Sequence, residues 1–461
     1  MKRKLLLLNP PGDKKYFRDY FCTNVSKARY YFHPLDLVYA SGWLDPYFEL
    51  FLIDAIADSL SDKECIKKIK EICPEVIVFL LSAPSFEIDL RFLSKLNKML
   101  PNAKMIGSGD IYREVRERAF KIQPYLDAIF LDFSTPDLIS YLIKKDKKPI
   151  NNLLYKEGKT IIEGPEIHGY GAFRMPVPRW DLFHLDNYSF PFALKTKLAT
   201  ILTDFGCPFK CSFCPMSGVG FKLREIENVI EELKLLKKLG VNELFFKDQT
   251  FGANKKRTKR LLERIKEEKL DFSWTCYSRV DVIDEPLLRI MKPAGCHTVI
   301  FGIESMNEGI LEKYSKNTTE EEIINALNLS KKAGIRTAAT FIIGLPGETK
   351  ESTERTISFA KKLPIDFASF NIATPRFGTR FRKNAVQEGI IDAQNLELDS
   401  SESQPKWKNQ TMSNEDICKL QRKAYREFYL RPAYLIKRLL HIKTFFELKQ
   451  SILEAKDLLF K

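Results

Sequence analysis

Residues 198–214 read Leu198-Ala199-Thr200-Ile201-Leu202-Thr203-Asp204-Phe205-Gly206-Cys207-Pro208-Phe209-Lys210-Cys211-Ser212-Phe213-Cys214, and their reading decides the fold. The apolar run Leu198–Thr203 has the composition of a buried strand. Three cysteines follow directly, separated by gaps of three and two residues. They lie on the loop at the strand's carboxyl end, where parallel barrels build their active sites. A loop can point three thiolates at a common centre, whereas a regular strand sends alternate side chains to opposite faces.

Working outward toward the C-terminus, five more strands are expected: Glu243–Lys247, Ser273–Ser278, Thr298–Gly302, Thr337–Ile343 and Phe367–Ala373. Helical stretches separate them. The clearest is Leu223–Leu239, apolar at 223, 226, 229, 230, 233, 236 and 239 and stopped by Gly240. Asn254 caps the next helix, and Thr319–Ala333 ends at Gly334. Six strand–helix units predict a partial parallel (β/α)6 barrel over residues 195–380.

Toward the N-terminus a second alternating series precedes it. Its strands are Lys4–Asn9, Phe48–Asp54, Val76–Leu81, Lys104–Ile106 and Ala128–Leu131, with helices between them. This predicts an α/β doubly wound domain over residues 1–145, with ligands at the carboxyl ends of the strands. Residues 146–194 are rich in proline and glycine and read as a linker with one hairpin around Gly158. Residues 381–461 are first irregular and then mainly helical, with a break at Pro432.

The chain has 461 residues, 44% hydrophobic and 29% charged, enough apolar material for a large core and against global disorder. No apolar run approaches the roughly 18 residues of a membrane span, and Leu5–Leu8 is too short for a signal-peptide core. A cytoplasmic protein is expected. The formal charge is +14, but residues 419–461 hold eleven Lys/Arg and four Asp/Glu, half of that excess. This tail reads first as a solvated helix face packed on the barrel. Peripheral contact with an anionic membrane comes second. Nucleic-acid binding comes last, since no RNA-binding motif is present.

Nine cysteines, scattered except for the one cluster, do not resemble a secreted disulfide framework. Three thiolates suit three irons of a four-iron cluster and leave the fourth iron open. Structural zinc is the alternative, with buried metal-free cysteines as a third reading. Zinc usually shows paired C-x-x-C half-sites; here there is no second pair, and no histidine falls within 20 residues.

The C-x3-C-x2-C spacing with aromatic Phe213 before the last cysteine resembles the signature of the radical SAM superfamily. The resemblance covers about residues 195–380. It implies that Cys207, Cys211 and Cys214 hold a 4Fe-4S cluster whose open iron binds S-adenosylmethionine, and that an electron from the cluster cleaves this to a 5′-deoxyadenosyl radical. Further matches follow the strand ends. Asp248 and Gln249 correspond to polar groups near the methionine amino group, although many relatives have an acid at the position of Gln249. Ser278 and Arg279 end the third strand, where a guanidinium can grip the methionine carboxylate. Glu304 resembles a ribose or methionine contact, and Ile343-Gly344 the adenine-binding turn. Each also has a plain structural reading. A lone acid after a strand is commonly a helix cap, Glu348-Thr349 can start a helix, and Arg279 can pair with Asp281.

The first 145 residues resemble the cobalamin-binding domain of cobalamin-dependent radical SAM enzymes. The matching loops contain Pro10, then Asp54-Ala55, then Ser82, Ala83 and Ser85, and then Gly107, Ser108 and Gly109. Small residues there would let a corrin approach the backbone. The tail Ala424–Pro432 also resembles that family. Two departures stand out. No Asp-x-His-x-x-Gly motif is present, His33 being the only histidine before residue 168, and Leu131–Pro136 replaces a Gly-Glu-x-Glu turn. The resemblance implies methylation of an unactivated carbon by way of methylcobalamin, with an electron donor such as flavodoxin or ferredoxin and a small-molecule or lipid-like substrate. The alternatives are a radical SAM cyclase or rearrangement enzyme, with or without functional cobalamin, and, from another class, a basic RNA-binding or RNA-modifying protein.

Overall fold

The computed structural model describes residues 2–20, 23–27, 30–144, 149–167, 169–396, 398 and 409–441. Two parallel sheets dominate. The first contains β1 (Arg3–Asn9), β2 (Phe48–Asp54), β3 (Val76–Leu80), β4 (Lys104–Ser108), β5 (Ala128–Phe130), β6 (Leu153–Glu157) and β7 (Thr160–Glu163). Their order is β2-β1-β3-β4-β5-β6-β7. The first five strands are parallel and the last two add on antiparallel. The hairpin expected around Gly158 thus extends the first sheet across the stretch read as linker. Its residue Tyr155 pairs with Ala128. The central strand β3 is buried at all five positions, as its unbroken apolar run requires when helices cover both faces.

The second sheet contains β8 (Leu198–Ile201), β9 (Glu243–Phe246), β10 (Ser273–Ser278), β11 (Cys296–Glu304), β12 (Arg336–Ile343) and β13 (Phe367–Ile372). They pair in sequence order, all parallel. The edge strands β8 and β13 do not pair with each other, which gives the expected open, six-stranded partial barrel. Helix starts follow the capping signals. Asn254 accepts from the Arg257 amide, and Thr319 forms a capping box with Glu322.

One helix starts later than its periodicity suggests. Leu223 and Arg224 belong to a strand, Phe221–Arg224, which pairs antiparallel with Asp204–Gly206, and the helix runs Ile226–Lys238. Backbone pairing on both sides of the cysteine loop overrides the helical pattern there. C-terminal helices span Arg380–Gln387, Asn414–Tyr429 and Pro432–His441. Among the described residues no helix is long and apolar enough to cross a membrane. The basic tail beyond residue 441 lies outside the described residues.

The two sheets share one continuous apolar core, from Leu5 to Phe428. Residues 10–20 run between them. Arg18 points back to the first sheet and pairs with Asp89 at 2.6 Å, both fully buried. Asp19 points the other way and pairs with Lys247 beyond β9. His33, the one early histidine, stacks on Tyr188 at 3.6 Å, and burial pushes its pKa well down. This is a packed neutral ring.

Candidate active site

The cysteine loop is anchored at both ends before any cysteine is reached. Asp248 accepts from the Thr203 amide (2.6 Å), the Asp204 amide (3.2 Å) and the Thr203 hydroxyl (2.6 Å). Arg257 donates to the Thr203 carbonyl at 2.7 Å. Gly206 has φ 88°, and a Cβ there would lie 2.1 Å from the Gly220 carbonyl, so the entry to the loop requires glycine. The next amide, Cys207, donates to that same carbonyl at 3.0 Å. The Cys214 amide donates to Cys211 O at 3.0 Å and closes the loop.

All three cysteines line one cavity of about 530 Å³ at the carboxyl ends of the barrel strands. Cys207 and Cys211 are buried and Cys214 is half-exposed. Burial pushes the Cys207 thiol up, while the Phe209 amide and the Thr250 hydroxyl, 3.7 Å away, act the other way. Among the described residues no group of three or more His, Cys, Asp or Glu is arranged around a single metal ion. Three thiols at the wall of one cavity suit a cluster in which each thiolate takes its own iron.

The other expected residues divide into two sets. Gln249, Ser278, Arg279, Glu304 and Phe213 line the same cavity as the cysteines. Arg279 donates to Cys211 Sγ at 3.3 Å and to the Lys316 carbonyl at 2.8 Å, and lies 4.0 Å over the Phe209 ring. It also pairs with Asp281 at 2.7 Å, so both readings of this residue hold at once. Ser278 donates to the Phe251 carbonyl at 2.8 Å. Glu304 is buried at φ 71°, a left-handed conformation rare for a residue with a side chain. Burial pushes its carboxyl up, and the Lys316 and Arg279 cations oppose that.

The second set stays behind the wall. Asp248 clamps the loop instead of facing the cavity. Ile343 and Gly344 end β12 against the C-terminal helix, where a Cβ on Gly344 would lie 2.9 Å from Ile417. Their neighbours Ile342 and Leu345 reach the cavity. Glu348 accepts from the Gly344 and Leu345 amides and from Ser305, and so holds this turn from below.

At the first sheet, the residues expected to cradle a corrin are covered by the chain itself. Pro10, Ser82, Ala83, Ser85, Gly107, Ser108 and Gly109 are all buried. Arg18 donates to the Pro10 carbonyl, Asn9 and Ser85. Ser82 and Ser85 share a hydrogen bond of 2.8 Å, and Ser108 donates to Asp36 at 3.0 Å. Gly109 has φ 132°, and a Cβ there would lie 2.0 Å from the Leu81 carbonyl. The small residues of these loops are therefore explained by contacts within the chain. In this structure residues 10–20 cover these strand ends.

Sequence reading missed Thr250, Tyr277, Lys316, Lys27, Asn371 and Tyr425, which complete the cavity wall. Lys27 carried no signal, because it is a lone lysine on an irregular segment. Tyr425 lies in the tail stretch Ala424–Pro432, which resembles a known family but gives no individual role.

The family model of the radical SAM superfamily matches residues 201–360. A protein of Pyrococcus horikoshii described as an uncharacterized methyltransferase is 36% identical over 444 residues, 94% of each chain. The anaerobic magnesium-protoporphyrin IX monomethyl ester cyclase of Cereibacter sphaeroides is 25% identical, over 85% of this chain and 65% of that one. Among solved structures, the cobalamin-dependent S-adenosylmethionine radical enzyme OxsB, with aqua-cobalamin and S-adenosylmethionine bound, superposes with a TM-score of 0.74 at 17% identity, covering 99% of this chain and 71% of that one. The radical S-adenosylmethionine methyltransferase TsrM of Kitasatospora setae, with cobalamin and a [4Fe-4S] cluster bound, gives 0.69 at 17% identity and 99% coverage of both. These two likenesses are likenesses of fold.

Proposed function

The chain belongs to the radical SAM superfamily, and on that premise we propose that it is a methyltransferase acting on an unactivated carbon of a small molecule held in the barrel cavity. The observation that carries this reading is the placement of Cys207, Cys211 and Cys214 on the wall of one cavity with Arg279, Gln249, Ser278 and Glu304. A 4Fe-4S cluster, when bound, supplies the electron that splits the sulfonium of S-adenosylmethionine. The chain's own residues do the rest. The three thiolates would hold three of its irons. Arg279, fixed by Asp281 and the Lys316 carbonyl, holds positive charge against Cys211 and presents a guanidinium to a carboxylate. Gln249 and Glu304 offer oxygens to an ammonium or a ribose. Phe209, Phe213 and Phe381 wall the chamber and keep water from a reactive radical.

The relative described as a methyltransferase, which matches nearly the whole chain, supports methyl transfer. The cobalamin bound in OxsB and TsrM supports a corrin as second cofactor here. Residues 10–20 would have to lift from the strand ends to admit it. We divide the chain into a corrin-binding-like unit (1–145), a connecting stretch (146–194) whose hairpin completes the first sheet, the barrel (195–380) and a C-terminal region (381–461). The enzyme needs a reductant, and a cytoplasmic flavodoxin or ferredoxin suits that role. The test is Cys211→Ala, prepared without oxygen and reconstituted. It is expected to lose the four irons and all 5′-deoxyadenosine formation. Normal cleavage by this variant would overturn the assignment.

A further inference from the structure

The barrel cavity runs from the cysteine loop after β8 to β13, the opposite edge of the sheet. Its wall at that far edge is aromatic, with Tyr30, Phe192, Phe367, Tyr429 and Tyr434. Its charges are lopsided. Six cations reach it (Lys27, Lys247, Arg279, Lys316, Arg376 and Arg438), against one carboxylate, Glu304, among the described residues that line it. Three of these cations have an acid beside them. Asp19 pairs with Lys247, Asp281 pairs with Arg279, and Glu304 lies close to Lys316.

Lys27 is different. Its ammonium reaches Asn371 Oδ1 (2.7 Å), the Phe370 carbonyl (3.1 Å), the Tyr425 hydroxyl (3.2 Å) and Ser369 Oγ (3.4 Å). Every acceptor is neutral. The group is half-buried and lies 5.7 Å from the centre of the Tyr425 ring. These oxygens fix where the ammonium sits without cancelling its charge, and a desolvated charge without a counter-charge is costly. Burial acts to raise the Tyr425 phenol, but the Lys27 charge and hydrogen bond, together with the Ser369 and Phe370 hydrogen bonds, bring it below its ordinary value. The field at this end of the cavity therefore favours an anion.

We propose that Lys27, positioned against β13 by Asn371 and Tyr425, receives the acid group, a carboxylate or a phosphate, of a substrate whose flat or apolar body lies along the aromatic wall. The proposal rests on reading this cavity as the reaction chamber. It makes Lys27 a specificity determinant, since a neutral substrate of the same shape would desolvate the ammonium and return nothing for it. Tyr425 and Asn371 are positioning residues.

The test uses the full chain and three fluorescent probes with one body: 1-pyrenebutyrate, 1-pyrenebutyl phosphate and 1-pyrenebutanol. Wild type should bind the acids at least about tenfold more tightly than the alcohol, as a charge-assisted hydrogen bond predicts. The tighter acid identifies the group preferred. Lys27→Met should abolish the preference by weakening the acids, and should bind the alcohol at least as tightly as wild type does. Lys27→Arg should keep most of it, and Tyr425→Phe part of it. Equal binding of acid and alcohol by wild type, or a full preference in Lys27→Met, overturns the proposal. Counting iron and 5′-deoxyadenosine in the same wild-type preparation separates the two readings. Acid preference without iron sinks the radical reading alone. Iron without acid preference sinks this one alone.

Discussion

The two parallel sheets of this chain end in opposite ways. At the carboxyl ends of β8–β13 the loops stand back and leave a cavity. At the carboxyl ends of β1–β5 the loops are equally rich in small residues, yet residues 10–20 fill the crevice. Parallel topology puts a crevice at both places. What closes one is a single segment whose adjacent residues Arg18 and Asp19 each bury a charge, one in either sheet's domain. Small residues at strand ends therefore do not by themselves mark a ligand face. They also appear where a chain packs tightly on itself, as Gly109 does against Leu81.

The largest effect expected is at the open end. Alanine at Cys207, Cys211 or Cys214 should reduce S-adenosylmethionine cleavage to background, measured as 5′-deoxyadenosine, and remove iron. The corresponding substitutions at the closed end, Ser82→Ala or Ser85→Ala, should leave the iron content at wild-type level. Iron loss in those variants would mean that the two ends are not independent.

Cobalamin tests the closed end directly. Reconstituted protein given hydroxocobalamin and freed of excess should retain about one cobalt for every four irons. If it does, amide exchange within residues 10–20 should quicken, because that segment covers the strand ends. Four irons without cobalt would make the closed end a purely structural one.

Arg18→Met is next. It leaves Asp89 buried without its partner, which typically costs about 3–5 kcal/mol, and the apparent melting temperature should fall. Replacing both partners, Arg18→Met with Asp89→Leu, should recover much of that loss, because an apolar pair needs no desolvation of charge. If the closed end opens for a corrin, Arg18→Met should also take up cobalamin faster. A variant as stable as wild type would show that Arg18 is not buried in solution.

The contrast also explains what the sequence could disclose. The barrel was legible because strands and helices alternate at regular intervals, and Asn254 caps the helix it was expected to cap. The cysteine loop was legible because three identical ligands at short spacing have few other uses. Asp248 was misleading. An acid after a strand can face the ligand or hold the loop, and only the position of the Thr203 and Asp204 amides decides. Residues 10–20 were illegible for a related reason. Their fixed position comes from Asp89 and Lys247, which lie 71 and 228 residues from their partners. No local pattern encodes contacts of that range.

The smallest effect concerns acidity at the closed end. Asp36 accepts from the Tyr20 amide and Ser108, and Asp54 accepts from Asn9, Tyr188 and the Ala57 amide. Burial pushes Asp36 up to about 7 and Asp54 up to about 6, with Asp19 adding to the rise at Asp36 and its hydrogen bonds and Lys247 opposing it. An acid whose pKa is raised by folding holds its proton more tightly in the folded chain. Its contribution is complete below the unfolded value, about 3.9, and is lost as pH rises through the folded value. Stability should therefore decline from about pH 4 toward pH 7, with each group adding a slope of at most about 1.4 kcal/mol per pH unit. Asp36→Asn should flatten the upper part of that decline, read as melting temperature against pH. A profile that is already flat from pH 5 to 7 in the wild type would mean that water reaches Asp36 and Asp54, and the end called closed would be as open as the other.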